Sequence, residues 1–184
     1  MLDAAEELLL AGDTRQVTVE NVVKLSGATV GSFYARFGNV EGLFDALHQR
    51  YLGAIYESTL LEALTKGVDQ PSLEKALHHT VKTLLEFGYQ RRRVLFYFIT
   101  QATEDGLEIR RLAVGNMHEI LKVHRGEVIF KDLRRASENT ARLFYQMFVG
   151  VILQEPSEFV GRKTSLSSVV DTTTRMAYTY LTTE

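Results

Sequence analysis

Apolar residues recur along this 184-residue chain at intervals of three and four rather than at every second position, the periodicity of helices that bury one face. Leu2, Ala5, Leu8 and Leu9 share one face of a short first helix that ends near Gly12, with Asp3, Glu6 and Glu7 on the other. After a polar stretch over 13–16, Thr18 is placed to N-cap a helix over 19–25, in which Val19, Val22 and Val23 share a side; Ser26-Gly27 stops it. Thr29 caps again, and a second short helix over 30–36 sends Phe33, with Phe37 four residues on, into a small core. Two short helices joined by a glycine-containing turn make a helix-turn-helix.

Asn39 then caps a long amphipathic helix over 40 to about 65, whose apolar side carries Leu43, Phe44, Leu47, Tyr51, Ile55 and Leu60; the stretch 67–71 breaks it. Further helices are predicted near 72–89, 92–103, 107–125, 135–154 and 166–181, separated by signals at Gly106, Gly126, Pro156 and Gly161. Only Pro71 and Pro156 are prolines, and strict alternation is almost absent, so the fold class is all-α. The organisation predicted is a helix-turn-helix domain over 1–47 and a larger helical domain over 48–184.

Composition removes several classes. With 45% hydrophobic and 24% charged residues, the chain is an ordinary globular sequence rather than a disordered or purely coiled-coil one. The absence of cysteine excludes a disulfide framework, a thiolate zinc site and a cysteine nucleophile, and suits a reducing interior, so a cytoplasmic location is expected. No apolar run approaches the roughly 18 residues that span a bilayer, and the first residues lack the basic flank of a secretory signal. No membrane association is expected. The formal charge of −2, from 21 basic and 23 acidic residues, does not mark a phosphate-binding protein, so any role on DNA must rest on a motif.

Such a motif is present. The run TVENVVKLSGATVGSFYARF over 18–37, followed by NVEGLF over 39–44, resembles the tetracycline-repressor (TetR) family: a threonine-capped helix, a glycine turn, a Gly-Ser-aromatic-Tyr core, a following Phe, then a Glu-x-Leu-Phe helix start. The motif covers about the first quarter of the chain, and helix number and length agree over the remainder. What the resemblance implies is a homodimeric transcriptional regulator, usually a repressor, that binds palindromic double-stranded operator DNA and leaves it when a small, largely apolar effector binds the C-terminal domain. By position, Thr29, Val30 and Ser32 would face base edges or nearby phosphates, Thr18, Tyr34 and Arg36 would anchor the backbone, and Gly31 would permit close approach. Phe33, Phe37, Val22, Leu25 and Leu43 would fix the angle between the two helices.

The departures bear on the same function. Family members commonly carry basic residues where this chain has Val30 and Val40, and a basic arm before the first helix. Residues 1–47 contain three basic residues (Arg15, Lys24, Arg36) against seven acidic ones (Asp3, Glu6, Glu7, Asp13, Glu20, Glu41, Asp45), a balance of −4 that leaves few phosphates to neutralise. Two readings account for it. Either the natural chain extends upstream into a basic arm, the favoured expectation, which an upstream in-frame extension free of Arg and Lys would overturn; or the scaffold serves as an effector-binding or protein-interaction module whose DNA reading is weakened or lost.

In the C-terminal domain, 94–99 is apolar around its whole circumference, as expected of a central core helix or of a cavity wall. The resemblance places an effector cavity among the middle helices, with Tyr97, Gln101, His118 and Tyr145 as candidate polar contacts and Phe98 and Phe144 as walls. It also implies a dimer interface on the last two helices. Leu143, Met147 and Val151 on one, and Val169, Thr173, Met176 and Tyr180 on the other, recur at helical spacing, and the broad apolar character of 144–153 asks for a second surface to bury. The five histidines include no i, i+4 pair, so no metal site is expected. Arg91-Arg92-Arg93, Arg110-Arg111 and Arg134-Arg135 read as solvated charge beside helix ends. No phosphate loop, nucleophile elbow or zinc-protease signature occurs, so neither a catalytic residue nor a cofactor is expected.

Overall fold

The computed structural model describes residues 1–11, 14–56, 59–99, 104–154 and 164–183, and among them the structure is helical, without a strand. The helices are α1 (Leu2–Leu10), α2 (Val19–Ser26), α3 (Val30–Phe37), α4 (Val40–Tyr56), α5 (Thr59–Thr65), α6 (Leu73–Gln90), α7 (Arg92–Ile99), α8 (Glu104–Val123), α9 (Leu133–Leu153) and α10 (Leu166–Thr182). Single 3-10 turns lie at Thr14–Gln16 and Arg125–Glu127. The predicted starts hold within two or three residues because capping side chains set them. Thr18, Thr29, Ser72, Asp132 and Ser165 each accept a backbone N–H from the first turn of the helix that follows. The stretch read as one helix over 40–65 is α4 and α5, with residues 57 and 58 between them outside the described residues.

The chain divides into two compact units, Met1–Glu57 with Arg93–Thr100, and Ser58–Arg92 with Gln101–Glu184. In the first, Ala5, Leu9, Val22, Phe33, Leu43, Leu47 and Tyr51 form the core, as the apolar periodicity of α1 to α4 predicts. Val94 of α7 completes it at 0% exposure. Arg93, its neighbour, donates to the carbonyl of Leu10, one of the acceptors that the last turn of α1 leaves without a partner inside the helix. Leu25 does not pack as expected: it is 46% exposed, because the inward side of α2 runs through Val22, Val23 and Ser26.

Helices α1 and α4 are also stapled by polar groups. Arg50 donates to Asp3 at 2.5 Å and lies 4.0 Å from Glu6, whose other carboxylate oxygen accepts the Tyr51 hydroxyl at 2.5 Å. The second unit is organised on α6, which packs against α5, α9 and α10. Its core includes Leu73, Leu77, Val81 and Leu85 of α6, Ile120 and Leu121 of α8, Phe144 and Val151 of α9, and Ala177 and Leu181 of α10.

At the turn from α3 to α4 the backbone approaches Gly42 more closely than any other described glycine of the first unit. Gly38 is left-handed (φ 73°), Asn39 accepts the Gly42 N–H at 2.8 Å, and a Cβ on Gly42 would lie 2.0 Å from the Phe37 carbonyl oxygen. That neighbour is backbone, so the start of α4 would have to move. Gly42→Ala is therefore expected to cost about 1–3 kcal/mol in denaturant unfolding. Gly31→Ala, whose nearest atom would be Thr29 Oγ1 at 4.0 Å, is expected to leave stability unchanged or raise it by up to about 1 kcal/mol. Equal midpoints for the two variants would remove the steric argument. The hydrogen bond from Arg50, with its charge second, holds the Asp3 carboxyl below its ordinary 3.8. A depressed carboxylate stabilises the fold above its ordinary pKa and loses that contribution as the pH falls through the folded one. Asp3→Asn is thus expected to lower the melting temperature slightly at neutral pH, with the difference closing below pH 3.8; a difference that persists in acid would argue against the ion pair as its cause.

Candidate functional site

An eight-residue helix has little stability of its own in water, so the projecting face of α3 depends on what holds its ends and its inner side. At the N-terminus Thr29 and Ser32 form a reciprocal capping box. Ser32 N–H donates to Thr29 Oγ1 and Thr29 N–H to Ser32 Oγ, each at 3.1 Å, and the Ser32 hydroxyl donates to the Thr29 carbonyl at 2.7 Å. The preceding helix ends on Gly27, left-handed at φ 66°, and begins on Thr18, whose hydroxyl accepts the Asn21 N–H at 3.2 Å. Asn21 reaches back in turn, donating from its amide to the Gln16 carbonyl at 2.9 Å, so the approach to α2 is tied as well.

On the inner side Phe33 is completely buried, with the Tyr34 ring edge-on to it at 5.7 Å and Phe37 at 5.3 Å. Around this anchor the other face of α3 is open. Thr29, Val30, Gly31, Ser32, Tyr34 and Arg36 are all exposed, Val30 at 51% and Tyr34 at 52%, and Thr18 is exposed at the head of α2. Arg36 is steadied by the Phe37 ring, 5.5 Å below its guanidinium. The structure thus gathers all seven sequence-derived candidates onto the surface of one unit, with Lys24 and Leu25 exposed on α2 of the same unit. It also gives Ser32 an occupation the motif alone did not reveal, since its hydroxyl closes the capping box.

The remaining candidates are dispersed among different environments. Gln101, and the side chains of Tyr97 and Phe98, lie outside the described residues. His118 is half-buried with Nδ1 3.3 Å from the Ser137 hydroxyl; Phe144 is 2% exposed within the core of the second unit; Tyr145 is half-buried under Arg110, whose guanidinium is 5.5 Å from the ring centre. Of the two apolar stripes, Val151 and Thr173 are buried inside their own chain, and Leu143, Met147 and Val169 are half-buried against the same core. Met176 (49%) and Tyr180 (36%) remain exposed, and Asn139 donates to the Tyr180 hydroxyl at 2.9 Å. The arginine runs find local partners: Arg91 lies over Phe87, Arg92 over Tyr89, and Arg134 3.5 Å from Glu138. Among the described residues no three His, Asp or Glu side chains gather as metal ligands, and no helix is long and apolar enough to cross a membrane.

Residues 1–47 match the family model for bacterial regulatory proteins of the tetR family. No curated protein matches the chain. Solved structures do. The TetR-family transcriptional regulator PfmR from Thermus thermophilus superposes with a TM-score of 0.66 at 15% identity, over 100% of this chain and 98% of its own. The fatty acid degradation regulator FadR from Bacillus halodurans gives 0.62 at 16%, over 96% and 95%. SmeT, repressor of the Stenotrophomonas maltophilia multidrug efflux pump SmeDEF, gives 0.65 at 17%, over 98% and 87%. At such identities the likeness is one of fold, and it extends along both units, where the motif covered only the first. The proteins resembled are regulators or repressors. Residues 1–47 are thus similar to the N-terminal domain of the tetR family of bacterial regulatory proteins, and the fold of the whole chain is similar to that of a TetR-family regulator.

Proposed function

We propose that the protein is a ligand-responsive transcriptional regulator, in the manner of a repressor, that binds a palindromic operator as a homodimer and is released by a small, largely apolar effector. The observation that carries the proposal is the open face of α3, where an exposed Thr29-Val30-Gly31-Ser32-x-Tyr34 row surrounds the buried Phe33. A helix held this way can enter a major groove with its N-terminal residues at the base edges. Val30 has the chemistry to meet a thymine methyl, while Tyr34, Thr18 and Arg36 supply hydrogen-bond donors for phosphate oxygens. Two such helices, one from each protomer, read two half-sites, and Met176 and Tyr180 are the exposed members of the stripe assigned to the protomer contact. An effector releases DNA only by the difference in its affinity for the DNA-bound and free arrangements.

A second reading has its own support in the −4 balance of residues 1–47: a module that keeps the scaffold and the effector or protein contact but binds DNA weakly. The two differ in what titration with operator fragments shows. The regulator is expected to bind fragments from around its own gene with a modest salt slope, since few phosphates are neutralised. Tyr34→Ala is expected to weaken that binding about tenfold or more, as for loss of one charge-assisted phosphate contact, while keeping a cooperative melt lowered only slightly by loss of the edge contact with Phe33. Unaltered affinity would remove Tyr34 from the interface, and absence of specific binding even at low salt would leave the second reading. For the effector, Tyr97→Trp is expected to change the effector concentration for half-release while preserving the oligomer seen in sedimentation; an unchanged response would move the effector site away from α7.

A further inference from the structure

Along α6, Lys75, His78, His79 and Lys82 stand at i, i+3, i+4 and i+7, so four nitrogen side chains share one face of the helix, beside the buried stripe of Leu73, Leu77, Val81 and Leu85. They do not face open solvent alone. Together with Gln70, Glu74 and three residues of α10, Asp171, Thr174 and Arg175, they line a half-open groove of about 540 Å³, within the range of small-molecule sites. From geometry, Lys75 and Lys82 are about 10 Å apart along the helix axis, two turns of α-helix. Arg175 faces the stripe from the other wall.

The charges in this groove are incompletely matched. Among the described residues Lys75, Lys82 and Arg175 make no ion pair, although each is exposed and within one concavity. Of the two carboxylates, Asp171 is turned to His78, with Oδ1 3.4 Å from Nε2. His79 is held by its Nε2–H, which donates to the Ala63 carbonyl at 2.7 Å and leaves Nδ1 as its remaining nitrogen. With His78 and His79 neutral, three cations against the two carboxylates Glu74 and Asp171 leave a formal +1 among the lining residues, a positive potential that a concave surface focuses.

We infer that the α6–α10 groove is a binding site for a small polyanion, a molecule whose phosphate or carboxylate groups are spaced to meet Lys75 or Lys82 at one end and Arg175 across the groove. The guanidinium offers a paired N–H fork to such a group and the lysines act as point charges at either end. The site lies wholly in the second unit and stands independently of the DNA-reading proposal. Because the groove is open, binding weakens with ionic strength, as solvent-exposed charges separated by about 10 Å are largely screened in 0.1 M salt.

Calorimetric titration of the full chain at low salt with pyrophosphate, citrate and inorganic phosphate tests this, with acetate as a single-charge control. Saturable 1:1 binding of pyrophosphate or citrate is expected, tighter than that of acetate; whichever is preferred assigns the phosphate or the polycarboxylate source. Lys82→Ala/Arg175→Ala is expected to weaken it at least about tenfold. Lys122→Ala, which removes a cation of α8 paired with Glu119 outside the groove, is expected to leave it unchanged. Circular dichroism melts check that both variants fold. No saturable binding at millimolar polyanion, or equal weakening by the groove and control variants, would overturn the site.

Discussion

Phe33 is buried completely while its neighbours on α3 are exposed on either side, and that single ring converts a short segment of modest helix propensity into a fixed projecting surface. Burying a phenylalanine is worth about 1.5–3 kcal/mol, comparable to what an N-cap supplies, so neither alone holds an eight-residue helix. The two act in sequence. The Thr29–Ser32 box sets where α3 begins, and Phe33 with Phe37 sets which face turns outward. The close approach of Gly42 to the Phe37 carbonyl then fixes where the chain leaves. Every α3 side chain proposed to meet DNA inherits its position from these three local constraints.

The parts of this arrangement that are legible in the sequence are those written locally. Thr18, Thr29 and Asn39 each announce a helix start by a short polar side chain before an apolar period, and Gly27 announces a stop, because capping and left-handed termination involve residues within a few positions of one another. Leu25 departs from its expected place because on a helix of eight residues both Leu25 and Ser26 lie near Val22 by periodicity. The half-buried serine, which donates its hydroxyl to the Val22 carbonyl at 2.7 Å, takes the inward position. The Asp3–Arg50 and Glu6–Tyr51 pairs join residues more than forty positions apart, and no local pattern marks them. Likewise, the apolar run over 94–99 asks for burial without showing where: Val94 belongs to the core of the N-terminal unit, whereas Phe96 is 49% exposed.

The same polar pairs modify the electrostatics of the N-terminal unit. Counted along 1–47 the balance is −4, but Arg50 lies just beyond that range and meets two of the acidic residues counted within it. Asp3 and Glu6 therefore spend part of their charge inside the unit, and the row on α3 itself contains no carboxylate. A DNA reader of the kind proposed would depend on shape, hydroxyls and an exposed valine more than on counterion release, which is the pattern expected of a protein whose overall charge is close to neutral.

The two-segment composition of the N-terminal unit bears on the order of events during synthesis. Residues 1–57 leave the ribosome first, yet the residue that closes their core, Val94, and the one that meets the carbonyl end of α1, Arg93, emerge only after the 35 residues Ser58–Arg92 have been made. Until then the core around Leu9 and Leu47 is short of one apolar member. At elongation rates of about 5–20 residues per second that interval lasts some seconds, long compared with helix formation. The nascent N-terminal unit is thus held short of its final packing by the chain that follows it, and matures only when the larger unit has begun to appear.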